Sequence, residues 1–303
     1  MPTKKFSVII PSHNEGDWLR RTVMGVLENT DYPDFEIVVV ADGCTDNSTE
    51  FLQEKHIPNV TLISLPVSVG AAKARNKGAH KATGEYLVFI DSHMIPHDAN
   101  WLTELFLQLE QKNIGVASLC IPHLEEPDRI AYVYTVKDLF LEPTWEAPLD
   151  KNKTQLVPVI SGACFGITKK LFDETGGFDE GLQKWGREDL EYSLRLWRMG
   201  YDLSMSPCAA IAHSWERKRT FEISWEEVDY NILRTVMTLF SKEWAEKVIA
   251  AVKCERPENA KHTLTELQKD QKFLARKNVL ESQFTRSFEQ YLEGFKGMLP
   301  MAE

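Results

Sequence analysis

Three side chains of types that bind divalent metals stand at the ends of two predicted strands. Asp91 and His93 come directly after the apolar run EYLVFI and are two residues apart, so on an extended chain they point to the same side. His213 closes a second strand-like run, AAIAH. Carboxylate oxygen suits Mn²⁺ or Mg²⁺, and imidazole nitrogen suits later divalent metals. Taken singly, however, Asp91 is more typical of a strand-end cap and His213 of a structural histidine.

Polar residues also follow the first two predicted strands. Asn14 and Glu15 come after FSVII and Pro11, and Asp42 follows the continuous apolar run FEIVVVA. An aspartate in this position either ends a turn and caps the next helix or accepts a hydrogen bond from a base or a ribose. The same choice applies to Asn14 and Glu15, and the residues alone leave it open.

A tryptophan and two acids begin a later predicted helix, in the run Trp185-Gly186-Arg187-Glu188-Asp189. Acids in the first turn of a helix complement the helix dipole, which is a purely structural role. The functional alternative places Glu188 and Asp189 in a crevice beside an aromatic platform. One acid then hydrogen-bonds sugar hydroxyls, and the other acts as a general base.

The elements that must position these residues alternate between strand and helix over about the first 95 residues, which predicts a doubly wound α/β sheet. The expected strands lie at 6–10, 35–41, 60–64, 85–90, 114–120 and 160–168. In such sheets ligands bind beyond the carboxyl ends of the strands, where SHNE, DGCTD and DSH stand. Residues 121–158 contain five prolines and are expected to form a long loop or lid.

Composition excludes several classes of protein. With 43% hydrophobic and 26% charged residues, the chain of 303 residues is typical of globular proteins rather than fibrous or disordered ones. A net charge of −10 opposes non-specific binding to nucleic acid or anionic lipid, and a phosphorylated ligand would need a metal or a few placed cations. The five cysteines form no CxxC pair, and we recognise no signal peptide or membrane span. We therefore expect a cytoplasmic protein.

Four segments, taken in order, resemble the glycosyltransferases of GT-A fold, especially family 2: SVIIPSHNE, VVVADGCTDNS, GAAKARNKGAHKATGEYLVFIDSH and WGREDLEYSLRLWRMGYDLSMSPCAAIAH. They cover about residues 5–215. The second half is also similar to the polypeptide N-acetylgalactosaminyltransferases, which share a metal-binding DSH, a WGGEN loop and a later histidine. Family 2 usually carries DxD where this chain has DSH, a departure that favours an Asp-His…His metal site.

The resemblance implies a GT-A fold, a Rossmann-like and mostly parallel sheet, together with a UDP-sugar donor. It implies that Asp91, His93 and His213 hold Mn²⁺ or Mg²⁺ on the diphosphate, where the ion neutralises the leaving group. Glu188 would face the sugar. Around the nucleotide sugar it places Pro11, Asn14, Glu15, Asp42 on the uracil, Arg75, Asn76, Asp91, Ser92, Trp185 and Gly186.

Position 189 separates two stereochemical outcomes. The retaining N-acetylgalactosaminyl enzymes carry Asn after the Glu of their WGGEN loop, whereas this chain has Asp189 after Glu188. Inverting enzymes with a Glu-Asp motif use that Asp as the base that deprotonates the acceptor. We therefore predict inversion, with Asp189 and Glu188 as the catalytic residues. Retention stays the alternative because the rest of the loop is similar to the retaining family.

We divide the chain into a catalytic domain, residues 1–221, and a helical C-terminal extension, residues 222–303. The extension matches no element that we can name, and it either caps the sheet or binds an acceptor or partner. Val228, Ile232 and Val236 stand at helical spacing, so this helix must pack on something. We expect the acceptor to be a peptide, a protein or a glycan.

Two other functions compete with glycosyl transfer. A nucleotidyltransferase would carry a glycine-rich phosphate loop near its start, and PSHNEGDW lacks one. A non-catalytic carbohydrate-binding protein of the same fold would have lost its metal ligands or its Glu-Asp pair, and this chain retains both.

Overall fold

A computed structural model describes residues 5–54, 56–148, 150–216 and 220–299. The predicted domains also include residues 1–4 and 300–303, which lie outside the described residues. The strands are β1 (Phe6–Ser12), β2 (Phe35–Asp42), β3 (Val60–Leu65), β4 (Tyr86–Ile90), β5 (Met94–Pro96), β6 (Ile114–Pro122), β7 (Ile130–Ala131), β8 (Val133–Val136), β9 (Pro143–Glu146), β10 (Gln155–Leu156), β11 (Cys164–Thr168) and β12 (Asp202–His213). The helices are α1 (Asp17–Glu28), α2 (Glu50–Glu54), α3 (Ala71–Lys81), α4 (Trp101–Leu109), α5 (Lys169–Glu174), α6 (Glu188–Arg198), α7 (Trp225–Leu239), α8 (Lys242–Glu255), α9 (Pro257–Lys269), α10 (Gln271–Gln283) and α11 (Phe288–Gly294).

One large sheet runs through the described part of the chain. Its strand order is β10-β12-β6-β11-β4-β1-β2-β3, with β5 paired to β12 and β7 to β6. β1 runs parallel to both β2 and β4, and β2 runs parallel to β3. β11 is inserted antiparallel between β4 and β6. The predicted α/β sheet is confirmed, and its parallel strands bring their carboxyl ends to one edge.

The strands near the middle of the sheet are mostly apolar because both faces are covered. In β1, Val8 and Ile10 belong to one apolar core and Ile9 to the core on the other face. Helix α3 approaches β1 so closely that a Cβ on Gly78 would lie 2.4 Å from Ile9 Cγ2. Glycine at this position therefore lets α3 lie flat on the sheet, with Arg75 one turn earlier in the same helix.

Replacing Gly78 with alanine is expected to lower the free energy of unfolding by about 1–3 kcal/mol, the usual cost of overpacking a core. The better helix propensity of alanine offsets only part of this loss. Denaturant unfolding measures the effect. Gly294→Ala is the matched control, since a Cβ there would lie 4.0 Å from its nearest neighbour, Trp197 Cζ2. Wild-type stability in Gly78→Ala would contradict the close approach of α3 to β1.

The proline-rich segment 121–158 differs from the long loop that we predict. β8 and β9 form an antiparallel hairpin, and β7 and β10 add short strands to the large sheet. Proline does not prevent this, because Pro143 is the first residue of β9, a position where its missing N–H is tolerated. The five prolines of the segment favoured a loop, so these short strands were not predicted.

The helices after residue 222 pack on the rest of the protein. The buried residues Val228, Ile232 and Val236 of α7 belong to the same apolar core as Phe89 and Phe165 of the sheet. Ser224 caps α7 by accepting a hydrogen bond from Glu227 N at 3.3 Å. Among the described residues, none of the helices combines the length and the apolar character needed to cross a bilayer.

Candidate functional site

A cavity of about 710 Å³ opens at the carboxyl ends of β1, β2 and β4. This volume lies within the range of pockets that hold small ligands. Of the residues predicted for the site, its wall includes Pro11, Glu15, Asp42, Arg75, Asp91, Ser92, His93, Trp185, Gly186, Glu188, Asp189 and His213. Side chains separated by up to about two hundred positions in the chain thus meet around one space.

Asp91, His93 and His213 converge on one wall of this cavity. Asp91 follows β4, and His213 ends β12, which pairs with β5 so that His213 lies opposite Met94. The ligand atoms of the three residues all lie within 4.8 Å of one another. His213 Nε2 is 3.7 Å and His93 Nε2 is 4.0 Å from Asp91 Oδ2. One carboxylate and two imidazoles at this spacing fit a divalent ion with positions left open for a ligand.

The surroundings prepare these three residues for metal binding. Burial alone would raise the pKa of Asp91, but the hydrogen bond with His213 and the charges of His93 and Arg75 outweigh it and hold the pKa below its usual range. Glu15 Oε2 lies 3.4 Å from His93 Nδ1, on the ring nitrogen that is not directed at Asp91. A carboxylate behind a histidine ligand fixes the orientation of the ring. Glu15 therefore contacts the candidate metal ligand His93 and also lines the cavity.

Arg75 joins the acidic residues on the two sides of the cavity. Its buried guanidinium donates to Glu188 Oε1 at 2.9 Å and to Gly162 O at 3.1 Å, and it lies 3.4 Å from Asp91 Oδ1. The second oxygen of Glu188 accepts from Gly186 N at 2.9 Å. Arg75 therefore offsets the charges of the buried Glu188 and the half-buried Asp91, and Glu188 holds both Arg75 and the loop before α6.

Asp189 is a half-buried acid in the cavity wall. Its Oδ2 accepts from Gly162 N at 3.2 Å, and its Oδ1 accepts from Leu190 N at 2.8 Å. The hydroxyl of Tyr134 also donates to this carboxylate. Burial, together with the neighbouring charge of Glu188, outweighs these hydrogen bonds and raises the pKa of Asp189 to about 6. A carboxylate with such a pKa is a better proton acceptor near neutral pH than an exposed aspartate.

The comparison with known proteins identifies the family. A family model described as glycosyl transferase family 2 matches residues 7–176, more than half of the chain. The chain belongs to glycosyl transferase family 2. A second model, described as the N-terminal domain of galactosyltransferase, matches residues 152–219, which include Glu188, Asp189 and His213. The expected family is confirmed, and the nucleotidyltransferase alternative has no support.

Curated relatives of this family 2 chain are named N-acetylgalactosaminyltransferases. Polypeptide N-acetylgalactosaminyltransferase 12 of Mus musculus is 30% identical over 245 residues, which are 73% of this chain and 41% of the relative. Polypeptide N-acetylgalactosaminyltransferase 16 of Homo sapiens is 29% identical over 230 residues, 71% of this chain and 41% of the relative. The chain thus spans about two fifths of the length of these curated relatives.

Solved structures confirm the GT-A fold. The crystal structure of GalNAc-T7 with UDP, GalNAc and Mn²⁺ superposes with a TM-score of 0.79 at 23% identity, over 99% of this chain and 59% of that one. The mannosyltransferase PcManGT from Pyrobaculum calidifontis, in complex with GDP-Man and Mn²⁺, gives a TM-score of 0.56 at 18% identity. That match covers 92% of this chain and 85% of the mannosyltransferase.

In this family 2 chain, Asp42 lines the cavity while its carboxylate is engaged with a neighbouring loop. Oδ1 accepts from Val69 N at 2.6 Å, and Oδ2 accepts from Gly70 N at 3.0 Å and from Ser68 Oγ at 2.9 Å. These bonds tie the end of β2 to the connection between β3 and α3. The contact with uracil stays a prediction, and the structure adds a second role, which is shaping the pocket.

Two residues predicted for the nucleotide pocket lie outside the cavity wall. Asn14 Oδ1 accepts from Thr45 N at 2.7 Å and from Asp46 N at 3.3 Å, so its side chain braces the loop after β2. Asn76 is buried and exchanges two hydrogen bonds with the backbone of Phe178, at 2.9 and 3.0 Å. Both amides hold the loops that shape the cavity, and the contact with the nucleotide predicted for them stays a prediction.

Three aromatic side chains that were not predicted for the site form part of the cavity wall. Tyr134 and Trp145 come from the β8–β9 hairpin, with ring centroids 5.0 Å apart. The ring of Trp215 lies 4.1 Å from that of His213 and 5.8 Å from that of Trp145. The position of Trp215, two residues after His213, was a usable signal. Nothing in the proline-rich segment marked Tyr134 or Trp145.

Proposed function

We propose that the chain is a metal-dependent glycosyltransferase that moves a sugar from a UDP-sugar to an acceptor. The convergence of Asp91, His93 and His213 inside the cavity carries this proposal. A nucleotide diphosphate needs a positive partner in a chain whose net charge is −10, and a divalent ion on these three ligands supplies it. Mn²⁺ is the preferred ion and Mg²⁺ the alternative, since the GalNAc-T7 neighbour is described with UDP and Mn²⁺.

The donor that we propose is UDP-N-acetylgalactosamine, with a polypeptide as the acceptor. The names of the curated relatives support both choices. A cavity wall that contains Tyr134, Trp145 and Trp215 also suits an acceptor with apolar surface, because sugars and peptide side chains stack on aromatic rings. A glycan acceptor shares this chemistry and is the second choice.

In the proposed reaction, the acceptor oxygen bonds to the anomeric carbon while the bond from that carbon to the UDP oxygen breaks. The divalent ion, when bound, stabilises the negative charge that develops on the departing UDP. Arg75 keeps Asp91 and Glu188 in place, and Glu188 holds the loop beside the sugar. Asp189 takes the proton of the acceptor hydroxyl, and the acceptor oxygen attacks in one step on the face opposite UDP, so the configuration at the anomeric carbon inverts.

Retention is the second candidate, and one observation favours it. Both oxygens of Asp189 accept backbone hydrogen bonds, from Gly162 and Leu190, so the carboxylate also suits a purely positioning role. The relatives named N-acetylgalactosaminyltransferases point the same way, because the similar enzymes retain configuration. The pKa of about 6 favours the base role, and the configuration of the product decides between the two.

The most direct test is a screen of UDP-sugars for release of UDP. UDP-N-acetylgalactosamine, UDP-N-acetylglucosamine, UDP-galactose and UDP-glucose are incubated with the protein, with and without Mn²⁺ and a serine- and threonine-containing peptide. We expect metal-dependent release that is fastest with UDP-N-acetylgalactosamine and peptide. Release from none of the donors would contradict the proposed activity.

UDP is expected to bind at least about tenfold more tightly with Mn²⁺ than without it, a difference of roughly 1.4 kcal/mol. The reason is that two phosphate oxygens complete the coordination of an ion on Asp91, His93 and His213. Titration calorimetry measures both affinities. His97→Ala is the matched control, because this histidine side chain is 54% exposed and lies outside the cavity wall. Equal affinities in the wild-type protein would exclude the metal site.

A further inference from the structure

The loop before α6 lines the cavity without forming regular secondary structure. We term residues 179–187 the tryptophan loop. Within it, Lys184, Trp185, Gly186 and Arg187 belong to the cavity wall. Gly186 and Arg187 have φ angles of 101° and 72°, in the left-handed region that residues other than glycine rarely adopt. Such a segment keeps its shape only where the surrounding structure supplies partners for its backbone.

Asn231, in the middle of α7, supplies those partners. This side chain is 1% exposed. Its Oδ1 accepts from Gln183 N at 2.7 Å, and its Nδ2 donates to Gln183 O at 2.8 Å and to Gly186 O at 2.9 Å. Trp185 O lies 3.3 Å from the same nitrogen and shares one of its two hydrogens. One side-chain amide thus provides hydrogen-bond partners for backbone groups of three loop residues, Gln183, Trp185 and Gly186.

The same helix holds the other end of the tryptophan loop. Arg234, three positions after Asn231 and on the same face of α7, donates to both oxygens of Asp179, at 2.8 and 3.0 Å. A Cβ on Gly181 would lie only 2.1 Å from Arg234 Nη2, so the loop passes directly over the guanidinium. On its far side, Lys184 O accepts from Ala71 N at 2.8 Å. The loop is therefore fixed between α7 and the start of α3.

We propose that Asn231 is a positioning residue for donor binding, which acts through the tryptophan loop and not by touching the donor. This inference rests on the proposed function, because it assigns the loop to the nucleotide-sugar side of the cavity. It also makes α7 part of the active site, so the region after residue 222 is more than a cover for the sheet. If the loop loses its anchor, it binds the donor more weakly in the ground state and in the transition state by the same amount. KM for the donor then rises while kcat stays nearly unchanged.

The test is the variant Asn231→Ala, with kinetics and amide hydrogen exchange as separate measurements. We expect the donor KM to rise about tenfold, with a much smaller change in kcat. We also expect faster exchange at the amides of the tryptophan loop, above all that of Gln183, which donates to Asn231. Thr238→Ala is the matched control. Thr238 is a buried residue of α7 whose hydroxyl donates to Arg234 O, within the helix itself.

Two results would overturn the inference. The first is a donor KM and a loop exchange rate that stay at the wild-type values in Asn231→Ala. The second is an equal rise of KM in Thr238→Ala at the same loss of thermal stability. Asn231→Ser replaces the alanine variant if that variant does not fold. A wild-type protein that turns over no UDP-sugar would remove the proposed function, and the exchange of the Gln183 amide would still decide whether Asn231 holds the loop.

Discussion

Replacing His213 with alanine is expected to abolish most of the transfer activity while the protein stays folded. A bound divalent ion contributes several kcal/mol to the stabilisation of the leaving group, and a site with two of three ligands holds the ion poorly. The rate should therefore fall on the order of 100-fold or more, which corresponds to about 3 kcal/mol. The pairing of β12 with β5 survives the change, because it uses the backbone of His213. Steady-state rates at fixed Mn²⁺ and a thermal melt are measured together.

The control for this prediction is His97→Ala, which removes an exposed histidine close to β5 and should keep the wild-type rate. A further check is the concentration of Mn²⁺ that gives half of the maximal rate, which should rise in His213→Ala alone. If His213→Ala melts at a clearly lower temperature but keeps its specific activity, His213 is a structural residue.

The sequence predicts the strand ends that form the site, because apolar strands followed by polar clusters leave few other arrangements. Asp91 and His93 do meet, with His93 Nε2 4.0 Å from Asp91 Oδ2, but Ser92 and His93 lie in a turn, so the alternation of an extended strand is not the reason. Their contact with His213 depends on the antiparallel pairing of β5 with β12. No local pattern in the sequence specifies that pairing, so here the resemblance to the family was the better guide.

Side-chain direction is what the sequence specifies least. Asn14 and Asn76 occupy stretches of chain that do border the cavity, yet both turn towards neighbouring loops. Asn14 has a φ of 55°, in the left-handed region, whereas Asn76 lies in the regular helix α3. A resemblance to a family shows which part of the chain lies near the site. It does not show which hydrogen bonds the side chains there form with neighbouring loops.

Contacts from distant elements were likewise invisible in the sequence. Tyr134 reaches Asp189 from a hairpin that the proline content concealed, and Asn231 reaches the tryptophan loop from a helix outside the recognised motifs. Both contacts join residues about 45 or more positions apart. Hydrophobic spacing showed that α7 must pack on something, but it did not show that its polar residues face the active site.

Replacing Asp189 with asparagine is expected to reduce transfer to the acceptor by about 10²–10⁴-fold, the usual cost of removing a general base. UDP should bind as well as before, because Asp91, His93 and His213 are unchanged. The side chains have nearly the same size, so lost packing does not explain a large effect. Asparagine also keeps an oxygen that can accept from Gly162 N, the bond that Asp189 makes at 3.2 Å. Transfer rates, UDP affinity and a thermal melt are measured side by side, with the exposed Asp173→Asn as control.

The pH dependence and the product configuration show whether Asp189 is the base. Burial and Glu188 raise the pKa of Asp189 to about 6, so the carboxylate is ionised above that pH and takes up a proton below it. The wild-type rate should therefore fall as the pH drops through about 6, and this limb of the profile should be missing in Asp189→Asn. NMR of the wild-type product should show a β linkage from the α-linked donor. An α linkage, or a variant that keeps most of its rate, would mean that Asp189 only positions the loop at Gly162 and that the enzyme retains configuration.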